Sequence, residues 1–345
     1  MKTHNLRKPE RKLLVKSKLI QNQVIRVRHD WKRDRRGWLA VASAAGVILL
    51  FNFSGSTVIA QGVDACAKTS QQAKRSCLEA AQSNYVNALG KCTNLSDPAT
   101  RQACQDQATA DLNDAQQVCQ AGFVVRQTSC GKLGPAPYDP VIDPANFVTT
   151  IDNPYFPLQP GTTFIYGGQM PGGFERDEFA VTHNTRVIQG VTCVEVHDSV
   201  FTDGVLTEDT LDWFAQDRDG NVWYFGENTH ELEDGLITTI SGTFMGGVNG
   251  DKPGIIMEAH SAIGDFYRQE FSLNNAEDFA EVKSLTEHVT VPYGSFDHCL
   301  KTEETTPLEP DLLESKFYAP GVGNIETLDE HTGATSQLVR ITRGQ

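Results

Sequence analysis

The sequence predicts an α+β protein, a disulfide-stapled antiparallel α-hairpin followed by a curved antiparallel β-meander that closes as a barrel, half-barrel or clam. Three observations carry that reading. Six of the eight cysteines stand symmetrically about position 98. A proline-rich stretch then separates them from the rest of the chain. Beyond it, short β-type runs are punctuated by residue–glycine pairs at intervals of 14 to 16 residues.

The cysteines come first. Cys66, Cys77 and Cys92 mirror Cys104, Cys119 and Cys130, with intervening gaps of 10, 14, 11, 14 and 10 residues. At about 100° per helical residue, the first three fall on one stripe, and the second three repeat the stripe in reverse. Two helices can therefore face each other and be joined at 66/130, 77/119 and 92/104. Six cysteines allow fifteen connectivities; the mirror spacing favours the nested one. Disulfides require a close approach of Cα atoms, and the arms supply small neighbours, among them Ala73, Ala80, Ala81, Ala88, Ala108 and Ala115. Asp97 suits the N-cap of the second helix, with Pro98 at its first position. The close C-x₂₋₄-C pairs typical of zinc sites are absent, and no C-x-x-C suggests redox catalysis. The expectation is a scaffold, with neither metal nor cofactor.

The N-terminus agrees with an oxidising destination. Residues 1–36 carry 13 Lys/Arg against 3 Asp/Glu, a net of +10, and an uncharged apolar run follows from Trp38 to Phe53. Val58-Ile59-Ala60 then offers a cleavage site, so residues 1–60 read as a signal peptide or, if uncleaved, an N-terminal membrane anchor. No cysteine stands at that cleavage point, which argues against a lipoprotein. The whole chain carries −14 and residues 37–60 carry no charge, so the exported part is near −14 − 10 = −24. Such a body repels nucleic acid and favours cations or basic partners. The expected location is periplasmic or secreted, or anchored at the inner membrane with the bulk of the chain outside the cytoplasm.

The hairpin is assigned to 61–131, a Pro-rich linker to 132–160 and the β domain to 161–345. Proline fixes φ and discourages helix and central strand alike, so Gly134-Pro135-Ala136-Pro137 through Asp143-Pro144 reads as a semi-rigid connector. In the β domain, Gln189-Gly190, Asp203-Gly204, Asp219-Gly220, Asp234-Gly235 and Asn249-Gly250 mark hairpin turns. A sheet of some 200 residues in this style is large enough to curl.

Alternation indicates which faces are covered. Val194, Val196 and Val200 share one face, with Cys193, Glu195, His197 and Ser199 on the other. Leu211, Trp213 and Ala215 oppose Asp212, Phe214 and Gln216. Val222 and Tyr224 oppose Trp223 and Phe225. Aromatic residues on both faces imply that both are covered, by another layer or by a ligand. Tyr267 and Gln269 oppose Arg268 and Glu270, an Arg–Glu pair that could orient a polar ligand from an inner wall. Cys193 and Cys299 are either a fourth bridge or two buried thiols.

Three phrases carry a family resemblance. Asn153-Pro154-Tyr155-Phe156-Pro157-Leu158-Gln159-Pro160-Gly161 is similar to an "FPLKPG" opening. Val291-Pro292-Tyr293-Gly294-Ser295-Phe296 resembles a "VPAGTF" strand–turn–strand element, with Tyr293 and Ser295 in place of Ala and Thr. Phe317-Tyr318-Ala319-Pro320-Gly321-Val322-Gly323 looks like a "YYAPGVG" element. All three belong to uncharacterised secreted bacterial β-proteins of open-barrel or clam envelope families. The resemblance frames nearly the whole β domain and implies a curved sheet in the envelope. It transfers no catalytic residue and does not reach the hairpin.

Motifs with a mechanism are missing. His230-Glu231 lacks the second His of H-E-x-x-H, Gly294-Ser295 lacks a nucleophile elbow, and there is no Walker or dinucleotide glycine pattern. Asp217-Arg218-Asp219-Gly220-Asn221 reads as a turn rather than a calcium loop, and Glu195 with His197 as a solvated face. The first functional expectation is a non-enzymatic envelope module holding an apolar or amphipathic small molecule, with Trp213, Trp223, Tyr224 and Tyr267 as wall and Arg268 as polar anchor. The second is an enzyme with a carboxylate-based site from Asp212, Glu270, Tyr267 and His197. The third is a purely structural surface protein.

Overall fold

The structure, a computed structural model, describes residues 64–344. The leader assigned to 1–60 lies outside the described residues.

Helix α1 (Ala65–Thr93) and helix α2 (Pro98–Leu133) form the hairpin. Each begins on an aspartate: Asp64 accepts from the Ala67 N–H at 2.8 Å, and Asp97 accepts from the Thr100 N–H at 2.7 Å. These contacts satisfy amide groups that the first turn leaves without partners. The bonds are Cys66–Cys130, Cys77–Cys119 and Cys92–Cys104, with Cα separations of 5.7, 5.7 and 5.6 Å. The nested connectivity is thus the one the mirror spacing favours. Buried Ala73, Ala81, Ala108 and Ala115 permit the close approach.

The rest of the described chain is antiparallel β. It opens with β1 (Phe147–Val148), β2 (Thr162–Met170), β3 (Gly173–Ile188), β4 (Val191–Thr202), β5 (Val205–Asp217) and β6 (Val222–Glu233). Short elements follow: β7 (Leu236–Thr239), β8 (Phe244–Met245), β9 (Lys252–Met257), β10 (Phe266–Arg268) and β11 (Glu270–Phe271). The last five are β12 (Phe279–Val291), β13 (Gly294–Thr305), β14 (Glu314–Ala319), β15 (Gly323–Asp329) and β16 (Thr335–Arg343). The hydrogen-bonded path runs β10-β12-β13-β14-β15-β16-β2-β3-β4-β5-β6-β9-β11. Its two ends, β10 and β11, are separated in the chain by Gln269 alone. The segment 266–271 therefore pairs with β12 through its first half and with β9 through its second, and the sheet is a nearly closed barrel.

Two features make that closure. The turns at Gln189, Asp203, Asp234 and Asn249 adopt positive φ, each followed by a glycine that does the same, which matches the twist of tight hairpins. At the seam, a Cβ on Gly254 would lie 2.4 Å from the Gln269 carbonyl carbon, so only glycine lets β9 come this close to the closing segment.

The stretch expected to act as a linker is largely built into the barrel. Phe147 and Val148 pair with β5, and Ile142 and Phe147 pack on an outer cluster containing Trp213 and Phe225. Ile151 and Leu158 bridge to each other and enter the main core with Tyr155 and Phe156. Prolines break the regular strand here, yet the apolar residues between them still need burial, and the barrel supplies it.

The hairpin lies against the outside of the seam. Arg126 reaches Glu277 and Asn274, Lys132 bonds Glu281 at 2.6 Å, and the Asn274 amide donates to the Ala73 carbonyl at 3.1 Å.

Candidate ligand site

Strand alternation sorts the interior into two halves. Near the Ile151–Leu158 plug it is apolar: Phe164, Val181, Val194, Val196, Val222, Met257, Ile325 and Leu338 are buried together. Phe214 stacks on Tyr224 at 4.7 Å and meets Phe156 edge-on at 5.4 Å. This half is filled by the protein's own side chains.

Toward the turns at 171–172, 203–204 and 234–235 the same inward positions become acidic. Register places Tyr166 beside Asp177, then Phe179, Asp198, Thr210 and Thr229 in one row, and Val196, Asp212 and Glu227 in the next. Elsewhere on the wall, Tyr267, Ala280, Glu304 and Glu314 form a row, beside Val282, Thr302 and Lys316. Glu270 and Asp278 join them near the seam.

These carboxyls do not behave as surface groups. Burial pushes Asp177 up to about 6, even though a hydrogen bond from Asp198 opposes the shift. Asp198 is held well above the usual carboxylate range by burial and by Asp177. Two ionised carboxylates offer only acceptors, so this apposition requires a shared proton. Tyr224 Oη lies 2.5 Å from Asp212 Oδ1 and 2.8 Å from Glu227 Oε2. A phenol has one proton to give, so one of those carboxyls must itself be protonated and donate. Burial, then the charge of Asp212, lifts Glu227 to about 8, and burial with Asp198 lifts Asp212 well above its ordinary value. Burial raises Glu270 strongly, with Asp278, Glu227 and Asp212 adding to it. Asp278 rises to about 6 by burial, tempered by Lys316.

One corner is balanced. Glu304 accepts from Lys316 Nζ at 2.8 Å, from Thr302 Oγ1 at 3.0 Å and from Tyr318 Oη at 3.2 Å. Burial works against the charge on Lys316, but Glu304 and Glu314 keep its ammonium well above the usual lysine range. Tyr267, only 7% exposed, sits two strands from Glu304 across the small Ala280, and its hydroxyl has no hydrogen-bond partner.

The expected ligand wall is divided by the sheet. Tyr224 and Tyr267 face inward. Trp213 faces outward, covered by the Arg186 guanidinium at 4.3 Å, and donates to Glu195 Oε2 at 3.3 Å. Trp223 is also outside, edge-on to Phe147, and donates to Asp217 Oδ2 at 2.9 Å. Arg268 lies outside among the rings of Tyr138, Phe271 and Phe279, 5.4, 5.1 and 4.7 Å from their centroids. The aromatic residues on both faces are thus covered by protein on both faces. Arg268 and Glu270, expected on one face, lie on opposite sides because the strand changes partner at Gln269 and its alternation breaks there.

Of the carboxylate set, Asp212, Glu270 and Tyr267 face the lumen and His197 does not. His197 Nε2 meets Asp209 Oδ1 at 2.6 Å and Ser199 Oγ at 3.3 Å on the outer face. Both partners use the same ring nitrogen, so this trio lacks the two-sided geometry of a Ser–His–Asp relay. Glu195 is taken up by Trp213, Thr182 and Asn184. The Asp217–Asn221 segment is a turn, with the Asp217 N–H donating to the Asn221 carbonyl at 2.9 Å. Cys193 and Cys299 are unbonded; the first belongs to the outer cluster and the second to the inner one. Burial pushes the Cys193 thiol up to about 12.

Sequence reasoning missed Asp177, Asp198, Glu227, Asp278, Glu304, Glu314 and Lys316. The available signal was parity: each acid of β3 to β5 has the same alternation phase as core residues of its own strand, Asp198 with Val194 and Val196, Asp177 with Phe179 and Val181.

Two openings can be described, the first against these groups and the second on the outer face of the barrel. A recess of about 30 Å³ is lined by Asp278, Glu304, Glu314 and Lys316. A cleft of about 320 Å³ between α2 and the barrel is lined by Val124, Val125, Phe266, Lys132, Lys283 and Glu303. The cleft is charge-balanced, because Lys132 pairs with Glu281, and Lys283 with Glu281 and Glu303. Among the described residues, no three His, Cys, Asp or Glu are placed to hold a metal ion, and no helix is long and apolar enough to cross a membrane.

The three disulfides are those of a protein that folds outside a reducing cytosol. No family model matches the sequence, and no curated protein matches it significantly. A solved structure from Parabacteroides distasonis ATCC 8503, provisionally called a lipoprotein, is 14% identical, with 55% of this chain and 98% of that chain covered, at a TM-score of 0.31. At that score the likeness carries no functional weight.

Proposed function

We propose that this is an exported, non-enzymatic envelope protein, periplasmic or secreted, whose barrel receives a small polar ligand at its acidic end. The resemblance to secreted bacterial β-proteins supports the location. The observation that carries the ligand reading is the proton-sharing set around Asp177, Asp198, Asp212, Tyr224 and Glu227. Burying carboxyls costs free energy unless each is paired, and a purely structural barrel would place apolar residues at these positions. The apolar half is packed with the protein's own side chains, which favours a polar ligand over the apolar or amphipathic one expected from the sequence. The hairpin acts as a strut across the seam.

Native mass spectrometry of material secreted by the source organism tests this. A retained small molecule is expected, lost or reduced in Asp212→Asn. Unliganded protein from every growth condition would count against it.

A second reading, acid–base catalysis by Asp212 and Glu227 through Tyr224, draws on their raised pKa values and their meeting at one hydroxyl. Turnover of any ester or glycoside library member, abolished in Glu227→Gln, would favour it.

A further inference from the structure

We infer that the cleft between α2 and the outer face of the barrel binds a small zwitterion with an apolar side chain, of the class of the free aromatic and branched α-amino acids. The inference is independent of the lumen reading. Phe266, Glu281 and Glu303 stand in one row across β10, β12 and β13, and the next row, Tyr267, Ala280 and Glu304, is the one that faces inward. The cleft holds about 320 Å³, within the roughly 300–1,000 Å³ typical of small-molecule sites, and such sites favour junctions between separately built parts of a protein. One wall is apolar. Val124 is the large apolar side chain that α2 leaves exposed, at 53%, on an otherwise polar helix. Beside it lie Val125 and Phe266, both half-buried. Phe266 is held in place by stacking on Phe279, with centroids 5.6 Å apart, and by the Lys132 ammonium 4.6 Å from its own centroid.

The other wall selects the charge type. Lys132 Nζ meets Glu281 Oε2 at 2.6 Å, Lys283 Nζ meets the same oxygen at 2.9 Å, and Lys283 Nζ also meets Glu303 Oε2 at 2.8 Å. The four groups form a chain of alternating sign that begins on an ammonium and ends on a carboxylate. Its two middle members each have two partners of opposite charge, whereas Lys132 and Glu303 each have one. An ammonium carries three donors and a carboxylate two acceptor oxygens, so both ends keep capacity for a further partner. Register sets Glu281 directly opposite Glu303, and facing side chains on adjacent strands stand about 5 Å apart. The ends of the chain are therefore close enough for one small molecule to touch both. The four charges sum to zero, so a ligand with net charge would add an unmatched ion to a partly desolvated wall. A zwitterion extends the alternation instead, its carboxylate on Lys132 and its ammonium on Glu303. That orientation leaves its side chain for Val124, Val125 and the Phe266 edge.

The test is calorimetric titration of L-phenylalanine into the full exported chain at low salt, where exposed charges are least screened. Phenylpropionate, phenethylamine and glycine are titrated in parallel; they lack the ammonium, the carboxylate and the apolar side chain respectively. Saturable binding of phenylalanine is expected, with each comparison compound weaker by about tenfold or more, since each forfeits a charged hydrogen bond or the apolar contact. Glu303→Gln should weaken phenylalanine by about tenfold and leave phenylpropionate unchanged, with the fold checked by circular dichroism. A second measurement needs no variant: saturation-transfer spectra on the unmodified protein should place the phenyl protons against the methyl groups of Val124 and Val125. Absence of saturable phenylalanine binding, or phenylpropionate binding as tightly as phenylalanine, would overturn the inference. So would phenylalanine affinity unaltered in folded Glu303→Gln, or transfer only from methyl groups elsewhere.

Discussion

Arg126 of α2 grips Glu277 of the barrel with two bonds, Nη2 to Oε1 at 2.6 Å and Nε to Oε2 at 3.1 Å, across 151 residues of sequence. The side chains are only 6% and 2% exposed. Asn274 completes the arrangement, accepting from Arg126 Nη2 at 3.0 Å and donating its own backbone N–H to Glu277 Oε1 at 2.7 Å. A fork-to-fork pair this deep fixes where the hairpin docks.

Breaking one side of it should be costly. Arg126→Met leaves Glu277 buried without its cation, and a loss of roughly 3–5 kcal/mol is expected. Adding Glu277→Leu should restore a substantial part. Denaturant midpoints of the single and double variants decide the matter; an additive double variant would mean that the pair is not coupled.

Gly122 tests the docking without touching charge. A Cβ there would lie 2.2 Å from the Pro307 carbonyl oxygen, whereas at Gly131 nothing lies within 4 Å. Gly122→Ala should therefore displace α2 from the barrel and destabilise the protein. Gly131→Ala should stabilise it, by up to about 1 kcal/mol from helix propensity. Equal effects in thermal melts would contradict the contact.

The lumen predicts an unusual pH response. Burial holds Glu227 and Asp177 in the fold at about 8 and about 6, above the ordinary carboxylate range. The folded state therefore binds more protons than the unfolded one over that interval. Stability contributed by these groups is complete below about pH 4 and is lost as pH rises through 6 and 8. Other carboxyls will oppose this at the acid extreme, so the window to examine is pH 5.5 to about 8. Melting temperature should fall across it in the wild type, and fall less in Glu227→Gln. A melting temperature that rises across the window would refute the shared-proton reading.

Reduction should act on the hairpin first. Its arms are polar, and the Cys77–Cys119 bridge closes a separation of 42 residues, for which a contribution of about 4 kcal/mol is typical. Reductant should lower far-ultraviolet helical signal before the near-ultraviolet aromatic signal of the barrel. Loss of both at one temperature would show that the two parts unfold as a single unit.

The hairpin was readable in the sequence because covalent geometry leaves few options: mirror spacing, small residues and an Asp-Pro turn agree. The hairpin turns were readable for a similar reason, since Asp203, Asp234 and Asn249 adopt the positive φ that their glycine neighbours announce. The lumen was not. An inward acid and an outward acid have the same alternation until something identifies the inner face, and Asp198 was overlooked beside Val194, Val196 and Val200. Arg268 and Glu270 misled for the opposite reason, because strict alternation fails where one strand serves two neighbours.

The nine residues of β16 have a role beyond their length. They pair with β15 on one side and with β2, at the far end of the β sequence, on the other. This ring cannot be finished until β16 has been made, so the nascent β domain waits with two bare rims. A chain stopped before Thr335 would keep β2 and β15 open as templates for strand addition between molecules, and sticky, polymer-forming material is the expected fate of such a truncation.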